Sequence, residues 1–239
     1  MLTALQNGKV VFARDAKKPG EFVCPECGEL VTLRKGRIKI HHFAHKPPVV
    51  CSYGRGETLA HQEAKLELYD VLMADPTVSN VEIEKSFGTV RADVYAVIDE
   101  TPVVFEIQCS TLDFDTLTKR TKAYTAKGIS LCWLLLPRDD IYGERIIPKA
   151  WEKWLHAANL GEIYFWQGDG FVTPVKFEKY YIDVPYTDFG GGYSYISKRF
   201  KTPARGNKSH VVRDFARERL KAWSAYYYEI PLRWVWRRI

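Results

Sequence analysis

Three features of the 239-residue chain predict an α/β fold. Residues 57–73 are rich in helix formers, with Leu59, Leu66, Tyr69 and Met73 at near-helical spacing. Residues 91–108 read as two strands joined by a turn. Val94, Ala96 and Ile98 alternate with Asp93, Tyr95 and Val97, Asp99-Glu100-Thr101-Pro102 has turn chemistry, and Val103-Val104-Phe105 is a short β-rich apolar run. Residues 129–136 are almost continuously apolar over a strand's length, as a buried central strand requires.

Composition narrows the class. Hydrophobic residues make up 46 % and charged residues 27 %, which suits a soluble globular chain. No apolar run approaches the roughly 18 residues of a membrane span, so no membrane association is expected. The first nine residues lack a basic flank before an apolar core, which predicts no signal peptide and a cytoplasmic protein. The odd count of five cysteines argues against a disulfide framework, and Cys109 and Cys132 read as inert core thiols. Net charge is +6 but uneven. Residues 195–239 hold 12 Lys and Arg against 3 Asp and Glu, whereas residues 1–194 hold 23 against 26, so an anionic partner would meet the C-terminal part.

In chain order, Lys9-Val10-Val11-Phe12-Ala13 is a short strand candidate. Phe22-Val23-Cys24-Pro25-Glu26-Cys27-Gly28 reads as a knuckle. Val31 and Leu33 face Ile38 and Ile40 in a hairpin around Lys35-Gly36 that ends in His41-His42-Phe43-Ala44-His45. The pattern Cys24-x2-Cys27-x14-His42-x2-His45 can converge on a tetrahedral zinc, which would stabilise a subdomain too small for its own core. His41 and Cys51 are the substitute ligands should His42 or His45 point elsewhere. Residues 46–56 form a linker. After the first helix, Asp75-Pro76 stops it, residues 81–87 alternate as a strand, and Gly88 turns into the 91–108 pair. Residues 113–127 are helical, with Leu112, Leu117 and Tyr124 apolar and Lys119, Arg120 and Lys122 polar, and Gly128 ends them. The order from 57 to 136 is therefore α-β-β-β-α-β.

On the 91–108 pair, Glu106 and Gln108 share one face and Asp93 sits on the neighbouring strand. Two carboxylates and an amide oxygen so placed make a candidate site for a hard divalent cation. Glu57, His61 and Lys65 are each four residues apart on the preceding helix. That spacing fits a salt-bridged surface face as well as a functional one.

Further on, residues 148–159 read as a helix bearing Trp151, Trp154 and Leu155. Residues 163–166 and 171–177 read as a hairpin around Gly168-Asp169-Gly170. Residues 186–195 are expected to be a flexible loop, and residues 211–228 a basic helix. Arg213, Arg217 and Lys221 there, with Lys119, Arg120 and Lys122, are the candidate nucleic-acid contacts, interleaved with Trp and Tyr suited to base stacking. Three parts follow: a Cys/His subdomain (1–52), an α/β core (53–185) and a basic aromatic extension (186–239).

The helix–strand order with its acidic pair resembles the PD-(D/E)xK nuclease core, a restriction-endonuclease-like fold. More narrowly, the chain resembles the CoiA-like competence family. The resemblance rests on Cys-Pro-x-Cys (24–27), His-Phe-Ala-His (42–45), Gly-Glu-Thr-x-x-His-x-x-x-Lys (56–65), Arg-x-Asp-Val (91–94), Glu-Ile-Gln-Cys-Ser (106–110), Arg120, Tyr124 and Trp133. It implies a metal-dependent DNA nuclease acting in DNA processing, uptake, recombination or defence, with DNA and recombination or defence proteins as partners. The expected site has Asp93 and Glu106 on Mg²⁺ or Mn²⁺, joined by the Ile107 carbonyl. Glu57 adds a carboxylate, Gln108 orients water, and His61 and Lys65 contact phosphate. The departure is Gln108, where the wider superfamily carries lysine. Glutamine can be neither base nor cation, so Lys65 or Lys122 is the candidate migrated lysine. The alternative is an inactive DNA-binding, recombination-accessory module.

Overall fold

The structure is a computed structural model that describes residues 1–36, 40–48, 50, 51, 53, 54, 57–225 and 228–239. Its first strands, β1 (Thr3–Gln6) and β2 (Lys9–Phe12), are joined by Asn7-Gly8. Both turn residues have positive φ, 51° and 75°, as a tight hairpin turn of matching twist requires. β3 (Phe22–Val23), β4 (Leu30–Arg34) and β5 (His42–His45) complete a five-stranded sheet in the order β2-β1-β3-β4-β5. Arg34 pairs with His42, so the β4–β5 connection is longer than a turn at Lys35-Gly36. Ile38 of the expected hairpin, and Val49, Ser52, Arg55 and Gly56 of the linker, lie outside the described residues.

The α-β-β-β-α-β order is present as α1 (Leu59–Ala74), β6 (Val78–Ile83), β7 (Val94–Ile98), β8 (Thr101–Gln108), α2 (Phe114–Ala126) and β9 (Ser130–Leu135). Both helices start on side-chain caps. Thr58 accepts from the His61 amide, and Asp113 from the Thr116 amide. Gly128, at φ +70°, lets the chain leave α2 for β9. β7 and β8 are antiparallel, and β8 runs parallel to β9 in the centre. β8 is covered on both faces. Val103, Phe105 and Ile107 pack towards Leu68 and Leu72 of α1, while Val104 packs towards Tyr124 of α2.

α3 (Ala150–Ala158), β10 (Ile163–Trp166), β11 (Phe171–Val184) and β12 (Tyr193–Arg205) follow, and then β13 (Ser209–His210), β14 (Phe215–Leu220), β15 (Trp223–Ala225), β16 (Tyr228–Ile230) and β17 (Arg233–Arg238). The main sheet runs β12-β11-β10-β9-β8-β7-β6, with β17 pairing both β14 and β9.

Four expectations change here. The strand expected at 81–87 is β6 at Val78–Ile83, because Glu84 turns to φ +55° and ends it. The loop expected at 186–195 is shorter, since residues from Tyr193 onward pair with β11 as far as Val184↔Tyr193. Among its described residues, the helix expected at 211–228 is strand wherever it is regular, and Tyr226 and Tyr227 lie outside them. Its Arg, Glu and Ala favour helix locally, but β14 finds a full-length partner in β17, from Phe215↔Arg238 to Leu220↔Arg233. Residues 186–239 are therefore no appended helical extension. Val235 pairs with Leu131 of the central strand β9, and Trp236 lies in the same apolar cluster as Leu68 and Phe105. Among the described residues no helix is long and apolar enough to cross a membrane.

Trp236 is 5 % exposed and its indole N–H donates to the Val211 carbonyl at 2.7 Å. Replacing Trp236 by Ala is expected to cost about 3–5 kcal/mol of stability, read as a lower urea midpoint. A surface tail would leave that midpoint unchanged.

Candidate active site

Three consecutive elements converge where β7 begins. Glu57 precedes α1, and His61 and Lys65 follow one and two turns on, so their i, i+4 spacing stacks them on the helix face that meets β7. Asp93 stands immediately before β7. Its Oδ2 accepts from His61 Nε2 at 3.1 Å and from the Ile107 amide at 2.9 Å. Lys65 Nζ donates to Glu57 Oε1 and, at 2.8 Å, to Glu84 Oε1, and lies 3.9 Å from Asp93 Oδ1. The Met1 amino group is 3.5 Å from Glu57 Oε2. Ligand atoms of Glu57, His61 and Asp93 lie within 4.8 Å of one another. Glu57 and Asp93, but not His61, line an open cleft of about 380 Å³ whose walls include Tyr53, Arg91 and Arg120.

His61 Nδ1 lies 3.7 Å from Glu57 Oε1, the oxygen that also takes the Lys65 ammonium. The two carboxylates suit a hard cation such as Mg²⁺ or Mn²⁺, and the imidazole favours the transition metal of the two, Mn²⁺.

The carboxylates on neighbouring strands differ sharply. Burial opposes ionisation of Asp93, but the His61 hydrogen bond and the Lys65 charge outweigh it and hold the carboxyl below its ordinary range. Glu106 faces α2. It accepts from Arg120 Nε at 3.1 Å and Nη2 at 2.6 Å and from the Tyr124 hydroxyl at 2.6 Å. Burial, aided by the Asp93 charge, pushes it up to about 7 even against that guanidinium.

Asp93 joins Glu57 and His61, while Glu106 is held by α2. Gln108 donates its amide to the Ser110 carbonyl and hydroxyl and faces its own loop. Lys65, not the exposed Lys122, reaches the carboxylates. Of the expected nucleic-acid contacts, Arg120 is engaged by Glu106 and the Arg91 carbonyl. Lys119, Lys122, Arg213, Arg217 and Lys221 are exposed. Arg217 stacks on Trp234 at 3.9 Å and donates to the Gly128 carbonyl. The closing arginines are structural: Arg233 is buried against the Ala158, Lys221 and Pro231 carbonyls, and Arg237 and Arg238 pair with Glu218 and Glu162.

In the N-terminal sheet, Cys24, Cys27, His45 and Cys51 come together. Cys24 and Cys51 sulfurs are 4.0 Å apart, and Cys27 Sγ is 3.3 Å from His45 Nε2. His42 is outside this group, its Nδ1 donating to the Ile40 carbonyl at 3.0 Å. The reason is parity: His42 and His45 lie in one strand, and an odd separation sends them to opposite faces. That signal was in the sequence. Glu84 carried none, because alternation places it beside Glu82 on an outer face, and only its positive φ turns it inward.

Removing Arg120 should leave Glu106 buried without its cation. The Arg120→Met variant is expected to lose about 3–5 kcal/mol at pH 8. The loss shrinks at pH 5, because a carboxyl raised above its ordinary 4.5 keeps its proton when folded and destabilises only as pH climbs past that value. Urea titrations at both pH values measure it.

Two family models match the chain. The "Competence protein CoiA, nuclease-like domain" covers residues 57–144, and the "Competence protein CoiA, N-terminal domain" covers residues 6–54. The chain is 33 % identical over 138 residues to "Competence protein CoiA" of Bacillus subtilis (strain 168). That alignment takes in 56 % of this chain and 35 % of the relative, so the chain spans about a third of that protein's length. No solved structure matches. The converging site residues fall within the nuclease-like match and the cysteine cluster within the N-terminal one, and the chain belongs to the CoiA-like competence protein family.

Proposed function

We propose that this chain is a metal-dependent deoxyribonuclease with a PD-(D/E)xK-type core whose divalent ion is held by Glu57, His61 and Asp93. The observation that carries the reading is the grouping of those three side chains within the nuclease-like region, with Glu57 and Asp93 lining an open cleft. A bound Mg²⁺ or Mn²⁺ supplies a Lewis acid and a water of lowered pKa. The chain's own residues do the rest. The Lys65 charge favours the ionised form of Asp93, the Ile107 amide fixes the orientation of Asp93, and His61 sets an imidazole nitrogen 3.1 Å from Asp93 Oδ2. Arg91 and Arg120 on the cleft wall place positive charge where a phosphate enters a carboxylate-lined site. The Asp93→Ala variant is expected to lose DNA cleavage with Mg²⁺ or Mn²⁺ by at least about a hundredfold, and equal activity would refute the mechanism.

A second reading, a DNA-binding accessory module without catalysis, has its own support. Glu106 is locked by Arg120 and Tyr124, and Gln108 turns to Ser110. Full-length chain that binds DNA but neither binds Mn²⁺ nor cleaves would establish it.

For the N-terminal sheet we propose a structural zinc on Cys24, Cys27, His45 and Cys51, a closed set of three thiolates and one imidazole. His42→Ala should retain one zinc per chain by mass spectrometry of the metal. Cys51→Ser should lose it, together with thermal stability.

Arg217 of β14 reaches the Gly128 carbonyl just past α2, β17 bonds Thr125 of α2 through the Trp234 amide, and Lys119, Lys122, Arg213 and Lys221 are further exposed cations of these segments. They form the proposed DNA-contacting face. Replacing Arg213, Arg217 and Lys221 together by Ala should weaken DNA binding across sequences. The slope of log K against log salt should fall by about 0.9 per lost phosphate contact, as fluorescence anisotropy would show.

A further inference from the structure

Glu84 lies outside every motif that suggested the site, yet it is the most heavily bonded carboxylate in the molecule's described residues. It is buried. It accepts from the Leu2 amide at 3.1 Å, the Thr3 amide at 3.0 Å, the Thr3 hydroxyl at 2.7 Å, the Tyr53 hydroxyl and Lys65 Nζ at 2.8 Å. Its backbone is in the left-handed region at φ +55°, a costly conformation for a residue with a side chain. The surroundings enforce it: the Glu84 amide donates to the Asp93 carbonyl at 2.8 Å, and Arg91 donates to the Glu84 carbonyl at 2.8 Å. The strain aims one carboxylate at α1 and at the N-terminal sheet together.

Lys65, 2 % exposed, is what that carboxylate holds. Its ammonium touches Glu57 and Glu84 and stands 3.9 Å from Asp93. It thus lies among the same carboxylates that would otherwise bridge a second ion, since paired metal sites need anions between ions about 3.5–4 Å apart.

We propose that Glu84 is a positioning residue that anchors Lys65 as a built-in second cation, so that this centre takes a single divalent ion. The inference rests on the reading of Glu57, His61 and Asp93 as the ion's ligands. Without the Glu84 charge, the ammonium leans wholly on Glu57 and Asp93 and competes with the ion there. Without the ammonium, Glu57 and Glu84 lose the cation they share and accept a second ion in its place.

Mn²⁺ binding to the full chain tests this by electron paramagnetic resonance and calorimetry, with no activity measurement. Wild type should bind one uncoupled Mn²⁺ at this centre, lost in Asp93→Ala. Glu84→Gln should weaken that ion about tenfold, the size expected for loss of a group that orients a ligand shell. Lys65→Met should bind two ions with a spin-coupled signal. In the double variant, Glu84→Gln should no longer weaken the first ion, a non-additivity that a purely structural Glu84 would not produce. Two coupled ions in wild type would overturn the proposal, as would unchanged affinity in a Glu84→Gln protein of native near-ultraviolet dichroism. Because the wild-type stoichiometry needs no variant to fold, it is decisive alone. Absence of any Asp93-dependent Mn²⁺ would instead overturn the ligand assignment beneath it.

Discussion

The ammonium of Lys65 must be neutralised where it lies, and much of the molecule is arranged to do so. A buried cation without partners costs several kcal/mol, and breaking such a cluster leaves charges stranded. Here the partners come from three places: Glu57 before α1, Glu84 after β6 and Asp93 before β7. None belongs to the regular part of a strand. The sheet sets the spacing of these chain segments, but irregular backbone aims their side chains. Glu84 bends out of β6 at positive φ, and Asp93 lies at a bend just before β7 begins at Val94. The N-terminal strands are bound to the same cluster through Leu2 and Thr3, so the small sheet is docked by a hydrogen-bonded charge as well as by the apolar contact of Leu2 and Phe12 with the core.

How much of this could be read from residues depends on which contacts are local. The helix 57–73, the 91–108 strand pair and the 129–136 strand are set by periodicity and caps within each segment, and each is present to within three residues at either end. Glu57, His61 and Lys65 belong to that class, since their spacing alone places them on one helical face. The C-terminal segment belongs to the other. Phe215–Leu220 is strand because Arg233–Arg238 lies beside it, and nothing within the six residues reports the partner. The interleaved Arg and Trp of the final strand suggest nucleic acid in isolation. In the fold they alternate between the core and ion pairs, as Trp236, Arg237 and Arg238 show.

The cysteine cluster shows a rule applied at the wrong period. Two histidines separated by two residues suit a helical or looped ligand pair. Once the segment is a strand, only one of them can face Cys27. The sulfur of Cys51, a residue beyond the hairpin, comes within 4.0 Å of Cys24 instead. Ligand spacing therefore has to be read together with the element that carries it. His-Phe-Ala-His has buried Phe43 at the alternate position, which already marks it as strand.

The same logic separates Asp93 from Glu106, which the sequence presents as a matched pair on adjacent strands. Environment splits them. Asp93 receives an imidazole, a backbone amide and a nearby ammonium, all favouring its charge. Glu106 sits deeper against Tyr124 and Asp93 and is pushed up to about 7. Carboxylates whose ionisation is driven apart take different roles. The charged one can serve a divalent ion at neutral pH. The other is poised to exchange a proton and already has a guanidinium as counter-ion. A divalent ion drawing on Glu106 would have to displace Arg120, whose fork also ties α2 to the Arg91 carbonyl. An ion held by Glu57, His61 and Asp93 would avoid that displacement and leave α2 seated on the sheet. The absence of a lysine at position 108 then follows from the same geometry: a cation there would lie on the Glu106 face, where Arg120 already stands, while the face of Asp93 receives its cation from α1.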